Sequence, residues 1–294
     1  MGQDHFRNHF LTYLDQLKTQ LSTADGNWTI KGFIDVYKKI YTVTLDTKVL
    51  SKILELLMYP VIACFAEEQN FQIIPTSAQN HYPDLSLVSL QDKNICFAID
   101  IKSTYRLLDS SGRVNGMTLG TFGGYFRNRE RTLGTTFPYK RYIKHYVLGV
   151  IYSGVPNVDE TQIYAIKDLY DIPSVIADFQ IFFHEKYRIA SDIPGSGNTK
   201  NIGSTKIEEK LIGGQGVFAS LGIDVFDDYW LNYYTRDMAR AAGFDKPPYT
   251  NLKTYKLFKG QGIKILDIPD DSVETDQEEV TSQESNERKG SENA

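Results

Sequence analysis

Residues Gln79 to Tyr105 read QNHYPDLSLVSLQDKNICFAIDIKSTY, and the rest of the chain can be arranged around them. Asp84 to Val88 run into a polar turn, Gln91-Asp92-Lys93-Asn94, and Ile95 to Ser103 form a second β-branched, apolar run. That pattern predicts two strands joined as a hairpin. Side chains alternate along a strand, so Asp100 and Lys102 share one face while Ile99 and Ile101 take the other. A turn centred on Asp92 sets Asp84 opposite Asp100, and directly opposed Cβ atoms lie about 5 Å apart. Two carboxylates and a lysine therefore converge.

Carboxylates that close repel, and one would hold a proton unless a cation intervened. Oxygen-only ligands suit hard Mg²⁺, which keeps several waters and accepts phosphate oxygens. Lys102 can stabilise charge on a phosphorane or help to place and deprotonate an attacking water. Asp84, Asp100 and Lys102 are thus the candidate metal and catalytic residues for phosphodiester hydrolysis. The plainer reading is a hairpin with charges on its wet face.

The 294 residues suit one large domain or two small ones, with 19 Tyr and 16 Phe to fill a core. The net charge of −5 is uneven: residues 267–294 carry ten acidic and two basic side chains, leaving a body, 1–266, of +3. That balance permits nucleic-acid binding, and the Glu/Ser/Gln-rich tail is expected to be disordered. No apolar run of membrane-spanning length and no secretory h-region is read from the sequence, so a cytoplasmic protein is expected. Cys64 and Cys96 stand in apolar contexts and read as buried thiols.

Along the chain, Phe6, Phe10, Leu14, Leu17 and Leu21 predict one amphipathic helix over 3–23. Short strand-like runs follow between Asn27 and Val43. Residues 46–69 predict a helix with Asp46 or Thr47 as N-cap, kinked or split at Pro60. Glu55 within it reads, taken alone, as a solvated carboxylate paired with Lys52, with a third acid at the metal site as the alternative. Residues 106–136 are rich in Gly, Ser, Thr and Arg, and Arg113, Arg127, Arg129 and Arg131 are candidates for phosphate contacts. Further strands are expected at 146–153, 163–169 and 181–190, so the fold class is α/β with a mixed central sheet flanked by helices.

Gly195-Ser196-Gly197-Asn198-Thr199-Lys200-Asn201 fails the Walker spacing, because Asn follows the lysine. A glycine-rich loop with an Asn side chain can instead approach base edges closely, Asn pairing with adenine in the major groove. A flexible turn is the plainer reading. Phe226, Tyr229, Trp230, Tyr233 and Tyr234 read as core, and Lys253, Lys256, Lys259 and Lys264 as candidate backbone contacts.

DTKVLSKILE, QNHYPD, AIDIKSTY, GSGNTKNIGS and DYWLNY, in this order, resemble the EcoRV-type type II restriction endonucleases, within the PD-(D/E)xK nuclease class. The likeness covers about Asp46 to Tyr234. It implies a restriction-endonuclease-like core with N-terminal dimerisation elements over 1–266, and a homodimer that cuts double-stranded DNA with Mg²⁺. Glu55 then joins Asp84 and Asp100 as a catalytic acid and metal ligand beside Lys102. Gly195 to Asn201 would be the major-groove loop, with Gly195, Gly197, Asn198 and Thr199 as readers. Gln79 and Asn80 would approach the minor groove, while Ser103, Thr104, Thr47 and Lys48 would lie near phosphates. A two-fold dimer reads a palindrome. The likeness of the loop implies GATATC, cut at its flexible central TA step to blunt ends, and a companion DNA methyltransferase. The first 40 residues, the acidic extension and Lys200 depart from the pattern. A non-specific or repair-type nuclease of the same class, or a non-catalytic DNA-binding protein on that fold, stays open, and cleavage assays with and without Mg²⁺ separate them.

Overall fold

The computed structural model describes residues 3–78, 81–108, 111–159, 162–195 and 200–260. In chain order its elements are helices α1 (Gln3–Leu11) and α2 (Leu14–Leu21), strands β1 (Phe33–Ile34) and β2 (Lys39–Tyr41), and helix α3 (Thr47–Glu68). Strands β3 (Phe71–Pro75), β4 (Leu85–Ser89), β5 (Cys96–Tyr105), β6 (Thr118–Thr121), β7 (Lys144–Gly154), β8 (Ile163–Ala165) and β9 (Ile176–Glu185) follow. Helix α4 (Lys186–Ile189), strands β10 (Ala190–Pro194) and β11 (Asn201–Ser204), then helices α5 (Glu208–Gly213), α6 (Ile223–Leu231), α7 (Arg236–Ala241) and α8 (Leu252–Gly260) follow, and short 3-10 helices stand at Tyr139–Arg141 and at Ile166–Asp171, where the strand expected over 163–169 ends after Ala165. The chain divides into two compact units, Met1–Leu231 and Asn232–Ala294. The compositional boundary at 266/267 and the acidic stretch beyond it lie outside the described residues.

The first unit is built on a five-stranded sheet of order β3-β4-β5-β7-β9. All its neighbours pair antiparallel except β5 and β7. This is the mixed sheet expected from the strand and helix alternation. The β4–β5 turn is closed by Ser89 Oγ, which accepts from Gln91 N and Asp92 N, and by Asp92 Oδ1, which accepts from Asn94 N at 2.9 Å. Asp92 is therefore the pivot, and the register Leu85↔Ile99, Leu87↔Phe97 follows.

The pleat sends Leu85, Leu87, Phe97, Ile99, Tyr146, Leu148 and Phe183 to one face, where they enter the main apolar core. Helix α1 covers it with Phe6, stacked on Phe97 at 4.0 Å, and Phe10, stacked on Phe183 at 4.0 Å. Helix α3 adds Leu50, Leu54, Met58, Ile62 and Phe65, each fully buried. Each such side chain contributes about 1.5–3 kcal/mol by leaving water. Asp46 caps α3 by accepting from Lys48 N and Val49 N, and Asn70 leaves it in the left-handed region at φ 57°.

Several expectations are corrected. The N-terminal helix is two helices, broken after Leu11, where Thr12 and Tyr13 close on the carbonyls of His9 and Phe10. Pro60 does not split α3. The Leu56 carbonyl that loses its donor lies on the exposed side of the helix, where water can reach it. Cys64 is exposed, with its thiol toward Glu68 Oε1 at 3.4 Å, and only Cys96 is buried. Helix α3 is also long and apolar enough, by length and composition, to span a bilayer. Here its apolar stripe is spent on the sheet. The segment expected to run as strand over 181–190 turns into α4 at Lys186.

Two smaller sheets complete the first unit, β1-β2-β8 and β10-β11-β6. The latter holds the stem of the 195–201 loop: Gly195 N donates to the Asn201 carbonyl at 2.9 Å. The Lys200 carbonyl accepts from Phe122 N, Gly123 N and the Thr121 hydroxyl. Phe226, Tyr229 and Trp230 of α6 pack on Phe126, Phe218 and Phe122 as core. In the second unit, Thr235 caps α7 by accepting from Met238 N, and Tyr249 contacts Tyr233 and Tyr255.

Candidate active site

The other face of the central sheet is polar. Asp84 immediately precedes β4, one residue beyond the Leu85↔Ile99 pair, and so stands across from Asp100. Asp84 Oδ2 accepts from Ile101 N at 2.6 Å, which ties its carboxylate to the neighbouring strand. Lys102 Nζ lies 2.9 Å from Asp100 Oδ1 and 3.8 Å from Asp84 Oδ2. In the row of Lys102 stand Gly149 and Phe182, and a side chain at Gly149 would run into the Phe182 ring. The three charged groups thus share a compact, walled patch. Lys102 and Asp84 side chains are about a quarter exposed and Asp100 is buried.

Burial, and then the Asp100 charge, push the Asp84 carboxyl from 3.8 up to about 7. Lys102 and the Ile101 amide oppose that rise. For Lys102 burial acts downward, but Asp100 and Asp84 outweigh it and hold the ammonium above its ordinary value. Asp100 Oδ2 is buried with no hydrogen-bond partner among the described residues. Two carboxylates and one ammonium leave the patch one positive charge short.

Behind the pair the structure assembles groups that the sequence reading did not single out. Lys186 is 2% exposed, and its Nζ has no hydrogen-bond partner among the described residues. The ammonium lies 4.0 Å from the centre of the Tyr82 ring and 5.4 Å from that of Tyr139. Tyr125 stacks on both rings, and Tyr82 Oη is 2.8 Å from His145 Nδ1. Gly120, at φ 96°, leaves the space that the Tyr125 hydroxyl and Lys186 Nζ approach. Burial drives Lys186 down to about 7 and His145 well below 6.5, while Tyr82 and Tyr125 rise well above 10. The sequence signal was present but faint: Lys186 continues the alternation of Phe182 and His184, a lysine placed on an inward-facing position.

Glu55 keeps the pairing first read for it, with Oε2 2.9 Å from Lys52 Nζ. Its charge still reaches the site, raising both Asp84 and Lys102. Ser103 Oγ is 2.7 Å from Ser51 Oγ on α3. Thr104 is buried and donates its hydroxyl to the Asn115 carbonyl. Neighbours on one strand point to opposite faces, so these two hydroxyls do not form one patch. Thr47 and Lys48 are exposed at the start of α3, where Asp46 already accepts from Lys48 N and Val49 N. Gln79, Asn80 and Ser196 to Thr199 lie outside the described residues; Gly195, Lys200 and Asn201 mark the loop's ends. Arg129 is bound to Asp227 at 2.8 Å and lies over Phe126, a structural role in place of the expected phosphate contact. Lys253, Lys256 and Lys259 are exposed on α8, and Lys264 lies outside the described residues.

A hairpin carrying Pro83-Asp84 and Asp100-x-Lys102 on one face of a mixed sheet is a nuclease arrangement, and comparison with known proteins decides which. The model of the restriction endonuclease EcoRV family matches residues 24–260. The chain belongs to the EcoRV restriction endonuclease family. It is 34% identical over 246 residues to the type II restriction enzyme EcoRV of Escherichia coli, covering 83% of this chain and 96% of that one. It is a type II site-specific deoxyribonuclease, and it binds DNA.

EcoRV-type nucleases generally depend on a divalent metal, and the site fits such an ion. The orphaned, buried Asp100 Oδ2 and the strained ionisation of Asp84 both ask for a further positive charge. Among the described residues no three His, Cys, Asp or Glu side chains cluster as a cage. An ion held by two carboxylates therefore fills its remaining positions with water or substrate oxygens.

Proposed function

We propose that this endonuclease hydrolyses double-stranded DNA with Mg²⁺ at the palindrome GATATC, leaving blunt ends. The supporting observation is the Asp84–Lys102–Asp100 cluster, whose all-oxygen donors suit a hard ion that keeps its waters. Asp84 and Asp100 hold the ion, and Glu55 on α3 contributes a third negative charge to it. A Mg²⁺ bound there would neutralise phosphate charge and lower the pKa of a water. Lys102, kept protonated by the two carboxylates, presents a fixed ammonium where negative charge develops on phosphorus oxygens. Phe182 over Gly149 closes one side of the patch against water.

For specificity, the motifs GSGNT and QNHYPD support the GATATC reading. The anchored stem of the 195–201 loop offers a rigid mount for base-reading groups, with Gln79 and Asn80 on the minor-groove side. Ser103, Thr47, Lys48 and Lys200 supply the neighbouring backbone contacts in this reading, and Thr104, buried with its hydroxyl on the Asn115 carbonyl, does not.

A homodimer supplies the second active site that a palindrome requires. It is supported by an apolar surface on the small β1-β2-β8 sheet, where Phe33, Ile34, Val36, Tyr37 and Ile163 are each more than half exposed. The setting is the cytoplasm, beside a DNA methyltransferase that protects the same word. Sequencing the ends of plasmid DNA cut in Mg²⁺ tests the reading, with breaks centred in GATATC expected. Breaks at another sequence, or staggered ends, would overturn it.

A further inference from the structure

Asp84 precedes the β4 ladder by one residue, and Pro83 before it has no N–H to give. Much of what fixes its carboxylate therefore comes from its neighbours in the chain. Two residues earlier, Tyr82 is buried and its Oη lies 2.8 Å from His145 Nδ1 on β7. Two residues later, Ser86 is buried and its Oγ lies 2.8 Å from Tyr142 Oη. Asp84 is thus bracketed by two hydroxyls tied to one short segment, in which Tyr142 and His145 meet edge to face at 5.4 Å. The main chain of Tyr82 is held as well: its N donates to the Gly134 carbonyl and its carbonyl accepts from Thr136 N, both at 2.9 Å. Across the sheet, Ser86 pairs with Ala98 and Ala98 with His145, while Asp100 follows two residues beyond Ala98. One row of the sheet therefore serves as the reference for both carboxylates.

We propose that Tyr82 and Ser86 are positioning residues that, through His145 and Tyr142, hold Asp84 at the spacing from Asp100 that a divalent cation requires. The inference rests on reading the Asp84–Asp100 pair as a cation site. Neither hydroxyl is itself a ligand, because each is buried and engaged with its partner. Water cannot stand in for a buried partner, so removing one hydroxyl leaves the other group unsatisfied and frees one side of the bracket. The Ile101 amide still reaches Asp84 Oδ2 at 2.6 Å, which keeps the carboxylate near β5 but leaves the chain on either side of it free to shift. Groups that stand behind metal ligands typically cost about 10- to 100-fold in metal affinity when lost. A single neutral hydrogen bond falls at the low end of that range.

Mn²⁺ binding to the full chain without DNA, followed by the electron paramagnetic resonance signal of the free ion, tests this. Tyr82→Phe keeps the ring and Ser86→Ala keeps the strand. Each is expected to bind Mn²⁺ about three- to tenfold more weakly than the unaltered protein, and the double variant at least about tenfold more weakly. Phe65→Leu, which loosens the core on the opposite face of the sheet, should lower the melting temperature and leave Mn²⁺ affinity as it was. Unchanged affinity in either single variant, or equal weakening by Phe65→Leu, would overturn the bracket. Asp100→Ala separates the two readings. If it abolishes binding while Tyr82→Phe and Ser86→Ala bind as the unaltered protein does, only the bracket fails. If binding survives Asp100→Ala intact, the cation site itself fails, and the bracket with it.

Discussion

Asp84 and Asp100 face one another across the β4–β5 hairpin, one step past the Leu85–Ile99 pair, with Lys102 Nζ 2.9 Å from the second and 3.8 Å from the first. The two acids are not equivalent. Asp84 takes the Ile101 amide and is pushed up to about 7, whereas Asp100 has one oxygen on Lys102 and the other without a hydrogen-bond partner among the described residues.

That asymmetry sets a pH dependence. Asp84 moves from 3.8 to about 7 on folding, so between those values the folded chain holds a proton that the unfolded chain has released. Stability from this group is fullest below pH 3.8 and declines as pH rises to 7. Thermal melts should show that decline, and Asp84→Asn should flatten it. Mg²⁺ should raise the melting temperature most above pH 7, where the carboxylate is ionised. Equal slopes in the two proteins would contradict the assignment.

Lys186 gives the opposite lesson. Its ammonium falls from 10.5 to about 7 on folding, so the unfolded chain binds the extra proton between pH 7 and 10.5, and stability rises with pH across that window. Lys186→Met should remove this rise and be more stable at pH 7 by several kcal/mol, on the order of 1.4 per pKa unit. Chemical denaturation at pH 7 and pH 10 measures both.

How the sequence carried this information differs by element. The hairpin register was legible because one polar turn at Asp92 and strict alternation leave a single solution. The Asp84–Asp100–Lys102 cluster follows from that register alone. The cage around Lys186 was not legible, because Tyr82, Tyr125, Tyr139 and His145 come from four separate segments that only tertiary folding unites. Pro60 misled because its helix exposes the face where a hydrogen bond is lost. Cys64 misled because apolar neighbours in sequence on a helix need not share its face.

The loop stem offers a test of specificity separate from chemistry. Gly203 packs against the Ile193 carbonyl and the Gly195 backbone, where a side chain would force β10 and β11 apart. Gly203→Val should therefore displace the 195–201 loop and cost about tenfold or more in cognate over non-cognate binding, on the order of 1–3 kcal/mol per lost base contact. Competition binding in Ca²⁺ measures the ratio. An unchanged ratio would detach the loop from recognition.

Cleavage by Asp100→Ala tests the catalytic cluster most directly. The variant removes the carboxylate that Lys102 grips, together with its buried second oxygen. Single-turnover cutting of a GATATC duplex in Mg²⁺ should fall by at least about 10³-fold, roughly 4 kcal/mol of transition-state stabilisation, with cognate duplex still bound. Cutting at the unaltered rate would show that the hairpin carboxylates are not where the phosphodiester bond is broken.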